Sequence, residues 1–218
     1  RRLLSACSTP QQQPALGWDI FPMLARRKGA YAHYLAAAAR PAPTKWVDGW
    51  ERLTKEQVDE FWPGDGRHNV GVATGHRSGV WVLDVDIVFE SEEEAREYVA
   101  EMTGLEIPQT LSVRTASGKW HSYFKMPDNE TVYISSSAGK LAPYVDVRGD
   151  GGMAMGICSS RWIGAELAYY EVETMMAPVF APVALVERVS RKEATRDEYA
   201  PASVEKDVDP VADSLAQQ

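Results

Sequence analysis

The sequence predicts an α+β fold, and three observations carry that expectation. Short apolar or alternating stretches of β-forming residues, NVGVATG (69–75) and GVWVLDVDIVF (79–89), are bounded by glycine turns and read as strands. LSVRTA and WHSYFK flank the turn SGK, which is the pattern of a β-hairpin. Two capping boxes, Thr54 with Gln57 and Ser91 with Glu94, open helices between these strands. At 218 residues, 44% hydrophobic and 25% charged, the chain can bury a core of its own without disulfide staples.

Taken in order, residues 1–16 are rich in Gln and Pro and are expected to form a mobile segment. GWDIFPML (17–24) reads as an early strand that Pro22 interrupts, and YAHYLAAAAR (31–40) as a helix stopped by Pro41, with PAPT as a rigid connector. The helix opened at Thr54 ends before Pro63, and PGDGRH is a loop. After the strand 79–89 comes an acidic helix, SEEEAREYVAEM, closed at Gly104, and then the hairpin. PYVDVRG, MAMGICS and ELAYYEVE are three further strand segments, separated by the turn signals GDGG and SRWIG. The catalytic domain is thus expected over 17–182, with 183–218 as one helix and a polar, proline-containing linker.

A net charge of −8 argues against a surface that clings to nucleic acid everywhere, yet suits a carboxylate cluster whose charge is neutralised by metal ions in use. Cys7 and Cys158 form no CxxC pair and lie at no ligand spacing from a histidine, so no structural zinc is expected. No apolar run approaches the length of a membrane span, so no membrane partner is expected, and the chain reads as cytoplasmic.

Three segments can carry chemistry. In a strand Asp84 and Asp86 project to the same side, where two carboxylates repel unless a cation or shared proton intervenes. They are either ligands of a divalent ion or a strand end and helix cap. In RTASGKWHSYF, Ser117, Gly118 and Lys119 turn the chain so that His121 returns beside them. Backbone amides, a hydroxyl, an ammonium and an imidazole together suit a triphosphate, although a histidine between Trp120 and Tyr123 is also an ordinary packed residue. In PYVDVRGDGG, Asp146 and Arg148 are either an intramolecular ion pair or a third metal ligand and a phosphate contact.

With these segments in this order, the sequence resembles the bifunctional primase-polymerase domains of the archaeo-eukaryotic primase superfamily, of the type found in phage and plasmid replication proteins. The resemblance runs from about Gly17 to Glu173, through GWDIFPML, NVGVATG, VWVLDVD, TASGKWH, VDVRGDGG and ICSSRWIGAELAYYEV. It implies mixed and antiparallel sheets, an RRM-like module beside an N-terminal α/β module, with flanking helices. It also implies that Asp84, Asp86 and Asp146 are catalytic and hold two magnesium or manganese ions, while His121 contacts the incoming triphosphate. Ser117 and Gly118 fall in the same motif. Arg148 takes the basic place after the third acid, and Lys119 stands where many relatives have a second glycine.

The activity implied is DNA-templated nucleotidyl transfer, primer synthesis or polymerisation or both, with single-stranded DNA template, primer strand and NTP or dNTP as partners. A helicase on the same polypeptide, beyond the linker, and a host cytoplasm for a phage-encoded chain follow by the same analogy. Arg26, Arg27, Lys28, Lys45 and Arg67, with Trp46 and Trp50, are candidate template contacts. Gly71, Thr74 and Gly75 are expected to shape the backbone near the nucleotide. Two other classes remain open on the residues alone: a metal-dependent nuclease, and a noncatalytic nucleic-acid-binding module.

Overall fold

The structure, a computed structural model, describes residues 10, 13–26, 52–64 and 68–191. The helix expected over 31–40, the connector after it, Cys7 and most of the expected tail lie outside the described residues. A single turn of 3₁₀ helix at Pro14–Leu16 leads to β1 (Ile20–Leu24). Then follow α1 (Lys55–Phe61), β2 (His68–Ala73), β3 (Val80–Val85), α2 (Glu92–Thr103), β4 (Leu111–Arg114) and β5 (Trp120–Lys125). The remaining elements are β6 (Tyr133–Ile134), β7 (Ser137–Ala142), β8 (Val145–Arg148), β9 (Met153–Met155), β10 (Ser160–Ile163), β11 (Glu166–Tyr169), β12 (Glu171–Thr174), β13 (Val179–Phe180), α3 (Val183–Val189) and β14 (Ser190–Arg191).

The expected helix starts form as drawn. Thr54 Oγ1 accepts the Gln57 amide at 3.3 Å while Gln57 Oε1 accepts the Thr54 amide at 2.9 Å, closing both halves of the box. Ser91 Oγ accepts the Glu94 amide at 3.2 Å, but the Glu94 carboxylate turns back one residue further, to the Glu90 amide. Glu92, Glu93 and Glu94 sit at the positive end of the α2 dipole, and Gly104 ends the helix at φ +67, a left-handed backbone that glycine adopts freely.

A large sheet runs β12-β4-β5-β3-β8-β7, with β13 alongside β5; a small sheet runs β1-β2-β9. Among the described pairs of strands, β13 with β5 is parallel and the others are antiparallel, so the α+β expectation holds. Pro22 does not interrupt β1. It pairs opposite Val70 on an edge strand, where a missing amide leaves no ladder bond unmade. Opposite Phe21 the chain needs Gly71, since a Cβ there would lie 2.3 Å from the Phe21 ring.

Both faces of the large sheet are covered, which explains why VWVL lacks polar residues. Val80, Val82, Leu111, Val113 and Tyr123 pack on one face against Trp18, Ile20, Phe21, Val70 and Val72 of the small sheet and its lead-in. Trp81, Leu83, Val85, Trp120, Phe124, Val145 and Val147 pack on the other against Ala95 and Val99 of α2 and Leu185 and Val189 of α3. Burying a side chain of this size contributes roughly 1.5–3 kcal/mol each.

Packing reaches past both ends of the expected 17–182 domain. Gln13 is fully buried and donates to the Ile157 carbonyl at 3.0 Å. At the other end α3 completes the second core, and β14 pairs with β6. A seven-residue helix with two buried apolar side chains at i and i+4 reads in sequence like the start of a polar tail, because the charged linker follows it directly.

Candidate active site

The alternation of β3 sets the site. Val80 and Val82 face the first core, and Asp84 is the next residue on that face, where the apolar layer ends. Its register partners are His121 on β5 and Asp146 on β8. Directly opposed residues of antiparallel strands have their Cβ atoms about 4.5–5.5 Å apart, so three neighbouring strands deliver an imidazole and two carboxylates side by side. Arg148 shares the face of Asp146 two residues on.

Asp86 joins them differently from the sequence expectation. β3 ends at Val85, so Asp86 lies beyond the strand rather than within its alternation, and its amide donates to the Tyr144 carbonyl at 2.7 Å. From there its carboxylate closes the group: oxygens of Asp84, Asp86 and Asp146 lie within 4.8 Å of one another. Three ionisable oxygen donors on a partly open surface are the ligand chemistry of a hard divalent cation.

Arg148, Lys119, His121 and one backbone amide hold the acids in place. Arg148 Nη2 lies 3.0 Å from Asp84 Oδ2 and 2.7 Å from Asp146 Oδ2, bridging the two. Lys119 Nζ lies 2.9 Å from Asp86 Oδ1, and His121 Nε2 is 3.4 Å from Asp84 Oδ1. The Gly139 amide donates to Asp146 Oδ1 at 3.0 Å. Burial pushes the Asp84 carboxyl up, but His121 and Arg148 outweigh it and hold the group well below the usual carboxylate range. Asp84 is therefore ionised at neutral pH without any adjustment of its surroundings.

Two tyrosines floor the site. Tyr170 and Tyr123 have their rings 5.8 and 6.2 Å from the His121 ring, and burial raises both phenols, so each stays protonated. His121 is itself buried, and its Nδ1 has no hydrogen-bond partner among the described residues. Nothing in the spacing of ELAYYEVE points to Tyr170; the return of the chain into β12, alongside β4, brings it there.

The SGK turn forms as predicted. Gly118 sits at φ +77, its amide donates to the Thr115 carbonyl at 2.9 Å, and the Thr115 amide donates to the Lys119 carbonyl at 2.7 Å. Ser117 Oγ pairs with Thr115 Oγ1 at 3.2 Å, which places it in the turn.

Other candidates have different places. In RGDGG, Asp150 turns inward: it accepts the His76 amide and the Ile134 amide, each at 3.0 Å, and so braces the fold. Thr74 Oγ1 donates to the Gly149 carbonyl, and a Cβ on Gly75 would lie 2.4 Å from the Asp150 carboxylate, so this stretch also braces that turn. Arg26 lies over the Trp162 ring, 5.8 Å from its centroid. Arg27, Lys28, Lys45, Trp46, Trp50 and Arg67 lie outside the described residues.

Two comparisons bear on this arrangement. A family model described as bifunctional DNA primase/polymerase, N-terminal, matches residues 12–182, a span that includes every residue of the acid cluster and the hairpin. No curated protein matches the chain.

Proposed function

The chain belongs to the bifunctional DNA primase/polymerase family, and from that premise we propose that it extends primers, and starts them, on a single-stranded DNA template at the Asp84–Asp86–Asp146 cluster. The observation that carries this reading is the register that sets Asp84 between His121 and Asp146 on adjacent strands, with Asp86 closing the triad. Membership of the family makes the chain a nucleotidyltransferase-type enzyme acting on DNA and nucleotides.

In this reading Asp84, Asp86 and Asp146 hold two divalent ions, magnesium or manganese. Bound there, such ions supply charge neutralisation at the phosphates and ease deprotonation of the attacking 3′-hydroxyl. The chain's own contribution is alignment. The rigid three-strand floor fixes the carboxylates, the SGK turn brings Lys119 and His121 to one side of them, and Arg148 stands on the other. His121, Lys119 and Arg148 bind the β- and γ-phosphates and leave the α-phosphate facing the primer end. Tyr123 and Tyr170, kept protonated by burial, add no competing charge beneath it. A helicase region carried beyond the linker would be the partner that uses the primers, as in phage and plasmid replication.

The test is primer extension on a labelled primer annealed to single-stranded template, with dNTPs or NTPs, and with magnesium, manganese or EDTA. The parent should lengthen the strand only with both metal and nucleotide, and the folded double variant Asp84→Ala/Asp86→Ala should add nothing. Parent-rate incorporation by that variant, folded by circular dichroism, would refute the assignment. Shortening of the labelled strand with metal alone would indicate a nuclease instead.

A further inference from the structure

Within the described residues, tryptophan is otherwise a core residue here: Trp18, Trp62, Trp81 and Trp120 are all 4% exposed or less. Trp162 is 49% exposed, on the two-stranded ribbon of β10 and β11. The register pairs Trp162 with Leu167 and Ser160 with Tyr169, so Trp162 and Tyr169 are diagonal neighbours on one face, close enough for both rings to line a single surface. Tyr169 is 51% exposed. That face, Ser160, Trp162, Leu167 and Tyr169, carries no carboxylate.

Two further features give the surface a direction. The Arg26 guanidinium lies over the Trp162 ring, so positive charge is supplied at the aromatic face. On the opposite face Arg161 hydrogen-bonds Tyr170, whose ring is 5.8 Å from that of His121. The ribbon is thus tied through two side chains to the histidine beside the acid cluster. An isolated two-stranded ribbon gains nothing from holding two large aromatics in water.

We propose that the β10–β11 ribbon is a stacking platform for unpaired bases of the template, with Trp162 and Tyr169 taking successive bases and Arg26 the intervening phosphate. This rests on the primase-polymerase reading for its ligand and adds the surface that receives it. Aromatic faces flanked by cations are how proteins hold single strands without reading sequence, each stacked base contributing about 1–3 kcal/mol. A protein partner would bury the same rings, and the oligo-dT titration and sedimentation below tell the two occupants apart.

The probe is a fluorescent oligo-dT, titrated in EDTA so that neither metal nor catalysis contributes. Trp162→Ala and Tyr169→Ala should each weaken binding by about tenfold, and Trp162→Phe should keep most of it. Manganese and nucleotide affinity, measured by calorimetry, should stay at the parent value in all three. In the unaltered protein, ultraviolet crosslinking of a 5-bromouracil oligonucleotide should map to residues 160–170, a result that does not depend on any variant folding. Parent-like oligo-dT affinity in folded variants, or crosslinks confined to other segments, would overturn the proposal. So would a parent dimer, seen by sedimentation, that these substitutions dissociate. A parent that binds oligo-dT through the ribbon but incorporates no nucleotide would sink the catalytic reading and leave this one standing.

Discussion

Asp84 and Asp150 are both buried and each meets a histidine, His121 in one case and His76 in the other, yet their oxygens are used in opposite ways. Asp150 spends its oxygens on the backbone: Oδ1 accepts the His76 amide and Oδ2 the Ile134 amide, stitching the β2–β3 turn and the β8–β9 turn to β6. Among the described residues, the Asp84 carboxylate meets side chains alone, Arg148 and His121, and faces two more carboxylates. A carboxylate saturated by main-chain donors cannot release them to a ligand without opening the fold. One balanced by the side chains of Arg148 and His121 can exchange them for a ligand's charge. The choice of partners, not burial or the neighbouring histidine, separates a brace from a site.

Reciprocal substitutions would break that contrast if it is wrong. The largest effect expected is for Asp84→Asn, which keeps shape but removes the charge: incorporation should fall by about 100- to 1000-fold or more, the scale of losing one preorganised electrostatic group. Its melting temperature should shift less than that of the second variant, because Arg148 retains Asp146 as a partner. Primer extension and thermal melting on the same preparation check both halves.

Asp150→Asn should behave the other way. An amide can still accept one of the two backbone N–H groups but presents its own NH₂ to the other, so stability should drop by about 1–3 kcal/mol. Incorporation per folded molecule should stay near the parent value. Equal losses of activity in the two variants would mean that the RGDGG turn belongs to the nucleotide site.

The same contrast marks what the sequence made legible. Asp84, Asp146 and His121 were readable because each sits in a short strand whose alternation assigns it a face, and the order of the strands supplied the rest. Asp150 was not, since GDGG reads only as a turn signal until Ile134, sixteen residues upstream, is seen to donate into it. Pro22 misled for a related reason: a proline interrupts a strand only if its missing amide had a partner, which depends on where the edge of the sheet falls. The elements β6, β7, β13 and β14 are too short or too polar for periodicity to reveal, and form because longer neighbours offer them an edge. α3 was foreseen as a helix but not as part of the core, because burial of Leu185 and Val189 is decided by the sheet they land on.

Lys119 offers the finest cut between brace and site, and the smallest effect. Its ammonium pairs with Asp86 at 2.9 Å, but both side chains are about a third exposed, so the pair itself adds no more than about 1 kcal/mol. The turn around it is held by backbone and by Thr115, whose Oγ1 accepts the Lys119 amide at 3.1 Å, so replacing the side chain leaves the loop in place. Lys119→Gln should therefore melt like the parent. If the ammonium serves the triphosphate, KM for nucleotide should rise roughly three- to tenfold with kcat little changed, the signature of lost binding shared by ground and transition states. Lys119→Arg should recover most of that loss, since charge rather than turn geometry is what Gln removes. A KM equal to the parent's in Lys119→Gln would make this residue a solvated partner of Asp86 and leave His121 and Arg148 to hold the phosphates alone.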